Sequence, residues 1–117
     1  MKKFKDIKEG DSLYVVLFDD WKGVNCIECK LTKDNYERDF FDRLLYVWAQ
    51  ELKPYLRTVH SFEVDLENYS DIYIYDDGIQ KFSMRIFTDK IDANLFYRDY
   101  KDDLIKRHKD ALKKLGV

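Results

Sequence analysis

At 117 residues, with 45% hydrophobic side chains, the chain can bury one ordinary core and is too short for two. A single domain over 1–117 is expected, and global disorder is set aside. A net charge of −2 argues against a dedicated DNA binder, which carries a basic excess to meet phosphates. No apolar run reaches the length of a membrane span.

Charge is plentiful but separated. The segment 58–80 carries Glu63, Asp65, Glu67, Asp71, Asp76 and Asp77 with no Lys or Arg. After Asp103 come Lys106, Arg107, Lys109, Lys113 and Lys114, set against Asp110. The start, MKKFKDIKEGD, is basic but is not followed by the apolar core of a secretory signal. Two cysteines without a disulfide framework then suit a reducing compartment, so a cytoplasmic location is expected. The Asn68-Tyr69-Ser70 sequon carries no weight there. Aromatic residues are abundant, with nine Tyr and eight Phe. Tyr hydroxyls need water or a partner, so many rings belong at the core edge or on a contact surface.

In chain order, Glu9-Gly10-Asp11 reads as a turn opening a strand over 12–18. Leu13, Val15 and Leu17 fall on one face of that strand; Tyr14, Val16 and Phe18 fall on the other. Both faces are apolar, as in a strand covered on two sides. A turn at 19–23 leads to a second strand over 24–32, completing a hairpin. From 34 to 53 the apolar period changes: Tyr36, Phe40, Phe41, Leu44, Leu45, Trp48 and Leu52 share one broad helical face. Asp34 with Glu37 forms a capping box, and Pro54 ends the predicted helix.

His60, Phe62, Val64 and Leu66 then alternate with Ser61, Glu63, Asp65 and Glu67, predicting a half-buried strand. A further hairpin is centred on Asp77-Gly78, a dipeptide that favours the type I′ turn. Ile72 and Ile74 alternate with Tyr73 and Tyr75 on its first arm. Phe82, Met84 and Ile86 alternate with Ser83, Arg85 and Phe87 on its second. A last helix is predicted from Thr88, as its cap, to about residue 115. Its early apolar residues, Ile91, Leu95 and Phe96, lie on a different face from Leu104, Ile105, Leu112 and Leu115. The first half is therefore expected on the sheet, with the second half projecting or turning toward something else.

The predicted fold class is α+β, in the order β-β-α-β-β-β-α: a curled antiparallel sheet of about five strands, with an inserted helix and a C-terminal helix. The opening IKEGDSLYVV resembles the first strand of small barrels of the Src-homology-3 and KOW kinds, where a Gly-Asp turn precedes an apolar strand. That likeness implies a small-barrel-like curl. The layout as a whole, a short domain rich in Lys, Asp and Tyr, resembles single-domain proteins encoded by phages and mobile elements of low-GC bacteria. This likeness implies an interaction protein with an anti-defence role, inhibiting or adapting a host component.

Chemistry-bearing motifs are few. Cys26 and Cys29 stand at C-x-x-C spacing, but within a strand, where residues three apart point to opposite sides. They are expected to share neither a metal nor a disulfide. His60 and His108 lie on different elements and make no zinc set with them. No serine sits in a nucleophile elbow, and no glycine-rich phosphate loop or H-E-x-x-H is present. The paired carboxylates Asp19-Asp20 and Asp76-Asp77 fall in predicted turns, and Asp102-Asp103 diverge on a helix. The expectation is no catalytic residue, no metal and no cofactor.

Surfaces remain. The first candidate is the acidic set Glu63, Asp65, Glu67, Asp71, Asp76 and Asp77, which would contact a protein partner with a basic or nucleic-acid-binding surface. The second is Tyr14, Tyr73, Tyr75, Arg85 and Phe87, read with Val16 and Phe18 as the strand faces opposite the core. If a helix does not cover these rings, they would hold a small nucleotide-like ligand or a second copy in a homo-oligomer. An enzyme with a site assembled from scattered residues is the remaining alternative.

Overall fold

The computed structural model describes residues 3–19, 23–57, 60–67, 72–76 and 78–116. These form seven strands, two short 3-10 turns and one helix. The strands are β1 (Ser12–Asp19), β2 (Gly23–Lys30), β3 (Tyr36–Arg38), β4 (Leu44–Trp48), β5 (Ser61–Asp65), β6 (Ile72–Asp76) and β7 (Lys81–Phe87); the helix is α1 (Lys90–Lys114). Every strand pairing is antiparallel. One sheet runs β2-β1-β7-β6 and the other runs β3-β4-β5. The class is α+β. The described strands split into two sheets where one was expected, and they close no barrel.

The inner faces of the two sheets meet in one core. Leu13, Val15, Leu17, Cys29, Phe82, Met84 and Ile86 come from the larger sheet; Leu45, Val47, Phe62 and Val64 come from the smaller. Each fully buried Leu or Val contributes about 1.5–3 kcal/mol over an exposed one. The outer face of the larger sheet is covered by the first half of α1, where Ala93 and Val16 are both fully buried. The strand over 12–18 is therefore covered on two sides, as its double apolar pattern requires. The Glu9-Gly10-Asp11 turn also forms: the Asp11 carboxylate accepts the Lys8 N–H at 2.9 Å, and Gly10 takes φ +92°.

The helix expected over 34–53 is absent. In its place stand β3, a tight hairpin, β4 and the 3-10 turn Gln50–Leu52. Two causes are local. The Asp39 carboxylate accepts the backbone N–H groups of Arg43 (2.5 Å) and Leu44 (3.1 Å), and Asp42 takes φ +56°, so the chain reverses. Beyond the reversal, Leu45, Val47 and Ala49 point inward while Tyr46 and Trp48 point outward, a strand period built from β-favouring residues. The outer face is nearly as apolar as the inner one, which erases the alternation and leaves paired apolar residues that imitate a helical face.

The N-terminal segment is tied to this hairpin. The Arg38 guanidinium donates to the carbonyls of Lys5 (2.8 Å) and Ile7 and pairs with Asp42 at 2.7 Å. The loop between β6 and β7 is longer than a two-residue type I′ turn, because Asp76 pairs with Lys81. Asp77 lies outside the described residues. Gln80, buried in that loop, accepts the Arg57 N–H at 2.9 Å and donates to the Tyr55 carbonyl at 3.2 Å. It thereby fixes the connection after the Gln50–Leu52 turn.

The cap of α1 is Asp89, one residue later than expected; its carboxylate accepts the Ile91 N–H at 2.8 Å. Phe96 and Tyr100 pack on Phe18, at ring separations of 5.7 and 4.3 Å. From residue 101 to residue 116 every side chain is exposed. The second half of α1 projects, as its drifting apolar face predicts, and the molecule measures 58 × 32 × 24 Å. Among the described residues, no helix is long and apolar enough to cross a membrane.

Candidate functional site

The cysteine pair sits within β2 with its sulfurs on opposite faces. Cys29 is fully buried in the core between the sheets. Cys26 is half-buried on the α1 side, with Sγ 3.7 Å from Asn94 Oδ1. Burial holds both thiols above their ordinary range; for Cys29 the neighbouring Glu51 adds to the effect. Among the described residues, no three His, Cys, Asp or Glu side chains gather in a metal-holding cluster. His60 Nε2 lies 3.1 Å from the Leu56 carbonyl, and His108 is exposed on the projecting part of α1.

The five residues grouped as a ligand site do not converge. Arg85 and Phe87 lie on the outer face of β7 beneath α1, with the Arg85 guanidinium 5.2 Å from the Phe87 ring and 4.8 Å from the Phe96 ring. Tyr14 is across from Phe87 on that same face. Burial, followed by the Glu28 carboxylate, raises its hydroxyl. Tyr73 and Tyr75 are on the other side of the sheet. They pair with Met84 and Phe82, stack at 6.4 Å from each other and pack against the core. Alternation on β6 is thus opposite to the expected one, and Ile74 is 70% exposed. β6 is an edge strand of the four-stranded sheet, where a solvent-facing Ile is tolerated and tyrosines can bury their rings while keeping their hydroxyls wet.

The acidic residues also divide. Asp71 and Asp77 lie outside the described residues. Asp76 and Asp65 do backbone work: their carboxylates accept the N–H groups of Gly78 (3.0 Å) and Glu67 (2.9 Å). Glu67 pairs with Arg43 at 3.3 Å. Glu63 is placed differently. It is exposed on the outer face of β5, directly opposite Tyr46 on β4.

Around Glu63 the two sheets leave an open groove of about 370 Å3, lined by Tyr46, Trp48, Ser61, Phe62, Glu63 and Tyr73. Trp48 is 48% exposed, and its strand neighbour across the ladder is Ser61. Burial first, then the charges of Tyr75 and Glu63, push the Tyr73 hydroxyl above the ordinary phenol range. The groove thus presents the rings of Tyr46, Trp48 and Tyr73 over the buried Phe62, the hydroxyls of Tyr46, Ser61 and Tyr73, and the Glu63 carboxylate. Such a lining suits a cation, whose charge is attracted both by ring faces and by the carboxylate.

Glu63 and Tyr73, expected in separate sites, line one groove. Tyr46 and the outward-facing Trp48 join them from β4, in a segment whose apolar pattern predicts a helix. Phe40 and Phe41 are expected on the apolar face of that helix. They form the hairpin tip instead, 94% and 67% exposed, with rings 5.2 Å apart and the Arg43 guanidinium 5.1 Å from Phe41.

No family model, curated protein or solved structure matches this chain.

Proposed function

We propose that this chain acts by binding and not by catalysis, and that the groove of Tyr46, Trp48, Tyr73 and Glu63 receives a Lys or Arg side chain of a basic protein partner. The observation that carries this reading is the Tyr46–Glu63 pair beside the half-exposed Trp48 ring. A guanidinium lying on the Trp48 ring face with its fork toward Glu63 gains from both contacts. Each such cation–ring contact contributes about 0.5–2 kcal/mol.

Glu67, paired with Arg43, and Asp76 are exposed outside the groove, and their charge favours a partner of opposite sign during encounter. The partner class is a protein whose own surface is basic, such as one built to hold nucleic acid. The wider role is the one implied by the likeness to phage and mobile-element proteins: an inhibitor or adaptor of a host component, working in the cytoplasm. The nucleotide-like ligand reading is weaker, because Tyr73 and Tyr75 are separated by the sheet from Tyr14, Arg85 and Phe87.

Affinity capture from a bacterial lysate, with wild-type bait beside Glu63→Lys and Trp48→Ala baits, tests the proposal. One basic protein retained by wild type and lost by both variants is the expected result. Equal retention by all three baits would remove the groove from the account.

A further inference from the structure

The projecting half of α1 carries a pattern that the groove does not use. On a helical wheel, Leu104, His108, Ala111 and Leu115 share one face with Ile105 and Leu112 at its margin. Leu104 still borders a cleft with Phe18, Val24 and Ser83 of the larger sheet, and beyond it no other described element covers that face, every residue from 105 to 116 being exposed. A helix segment this short is marginal in water without tertiary packing.

The flank beside this stripe reads Asp103, Arg107, Asp110, Lys114, alternating in sign. The four residues are arranged symmetrically about the point between His108 and Lys109. That point is also the midpoint of the exposed stretch 101–116. In a two-fold antiparallel helix pair each flank meets its own copy, and residues equidistant from the axis face each other. An axis at that midpoint sets Asp103 against Lys114, Arg107 against Asp110, and Ile105 against Leu112. A parallel pair sets each flank against the opposite one, which carries Lys101, Ile105 and Leu112 and no alternating charges, and the matching is lost.

We propose that two copies of this chain associate through the projecting halves of α1, as an antiparallel pair centred between His108 and Lys109. The overlap runs for about 24 Å. The second copy's Gly116 then comes level with Lys101, beside the cleft that Leu104 shares with the larger sheet, and the two bodies sit at opposite ends. The Asp103–Arg107 pair, at 2.9 Å within one helix, joins the Asp110 and Lys114 side chains of the second copy in a four-charge network. The contact is small, as in weak and transient associations, so the dimer depends on concentration. The groove takes no part in it.

Sedimentation velocity of the full chain over a range of concentrations tests this, with circular dichroism confirming the fold of each variant. Wild type should approach twice the 14.2 kDa chain mass as concentration rises. Asp103→Lys alone, or Lys114→Asp alone, should weaken the dimer about tenfold, since each variant turns two attractive pairs into repulsive ones. The double exchange Asp103→Lys with Lys114→Asp should restore association to within about twofold. That exchange leaves the internal Asp103–Arg107 pair broken, so its rescue reports the contact between copies. Leu112→Glu should give monomer. A monomeric wild type at every concentration, a dimer indifferent to Leu112→Glu, or a double exchange no better than the single variants would overturn the proposal.

Discussion

Tyr46 and Glu63 face each other across the β4–β5 ladder, on the side of the smaller sheet turned away from the core. A half-buried phenol and an exposed carboxylate are thereby held by two paired backbones, with Trp48 and Ser61 forming the next outward-facing pair. Because the positions are set by sheet register, the groove is fixed before any partner arrives, which lowers the ordering cost of binding.

Removing the outward-facing groove side chains should leave folding nearly untouched. Glu63→Gln is expected to move the urea midpoint by less than the equivalent of about 0.5 kcal/mol, the usual range for exposed substitutions. A larger loss would make Glu63 a structural residue.

The hairpin at residues 39–43 gives a sharper contrast. Phe40→Ser should be close to neutral, because the ring is at an exposed tip. Leu45→Ala should cost about 2–5 kcal/mol, as a fully buried leucine does. Asp39→Ala should cost about 1 kcal/mol through the loss of its two backbone N–H contacts. Equilibrium urea denaturation measures all three. Were this segment a helix with both phenylalanines on its packed face, Phe40→Ser would be the costly change.

Gln80→Ala should destabilise by about 1–3 kcal/mol, since it strips the partner from the Arg57 N–H and the Tyr55 carbonyl. Restoring the amide with Asn should not rescue it, because the shorter side chain cannot reach both backbone groups.

Alkaline pH should weaken the fold. Burial raises the folded-state pKa of Cys29, Cys26, Tyr14 and Tyr73. An unfolded thiol ionises near pH 8.5 and an unfolded phenol near pH 10. Above those values the unfolded state has released protons that the folded state still holds, so stability drops as pH rises. Below about pH 8.5 these groups add no slope. Thermal melts between pH 7 and pH 10.5 should show Tm falling above about pH 8.5, with a shallower fall in Cys29→Ala relative to its own neutral-pH value. An unchanged slope in that variant would contradict the burial of the thiol.

Much of the larger sheet was legible in the amino-acid pattern. Its apolar residues alternate on β7 and fill both faces of β1, and the Gly10 turn and the charge-biased ends of α1 mark its boundaries. The opposed cysteines also follow from period two alone. The segment 34–53 was not legible, for a physical reason. Tyr46 and Trp48 face outward yet are apolar, so β4 lacks the polar positions that distinguish a strand from a helix. The turn that decides the matter depends on the Asp39 carboxylate and on Asp42 at positive φ, in a five-residue run, Asp39-Phe40-Phe41-Asp42-Arg43, with no Gly or Pro. Once that hairpin is missed, the groove is missed with it, since Tyr46 and Trp48 lie on β4. The face of β6 was misassigned because Ile outranks Tyr as a core residue, whereas an edge strand beside Phe82 accommodates the tyrosine rings.

The most direct measurement is an amide and indole NMR titration of the full chain with a short Arg-rich peptide, beside an acidic peptide of equal length. The account predicts saturable shifts confined to Tyr46, Trp48, Ser61, Glu63 and Tyr73 with the Arg-rich peptide alone, abolished in Glu63→Gln. Shifts spread evenly over acidic residues elsewhere, or a groove unmoved by the cationic peptide, would contradict it.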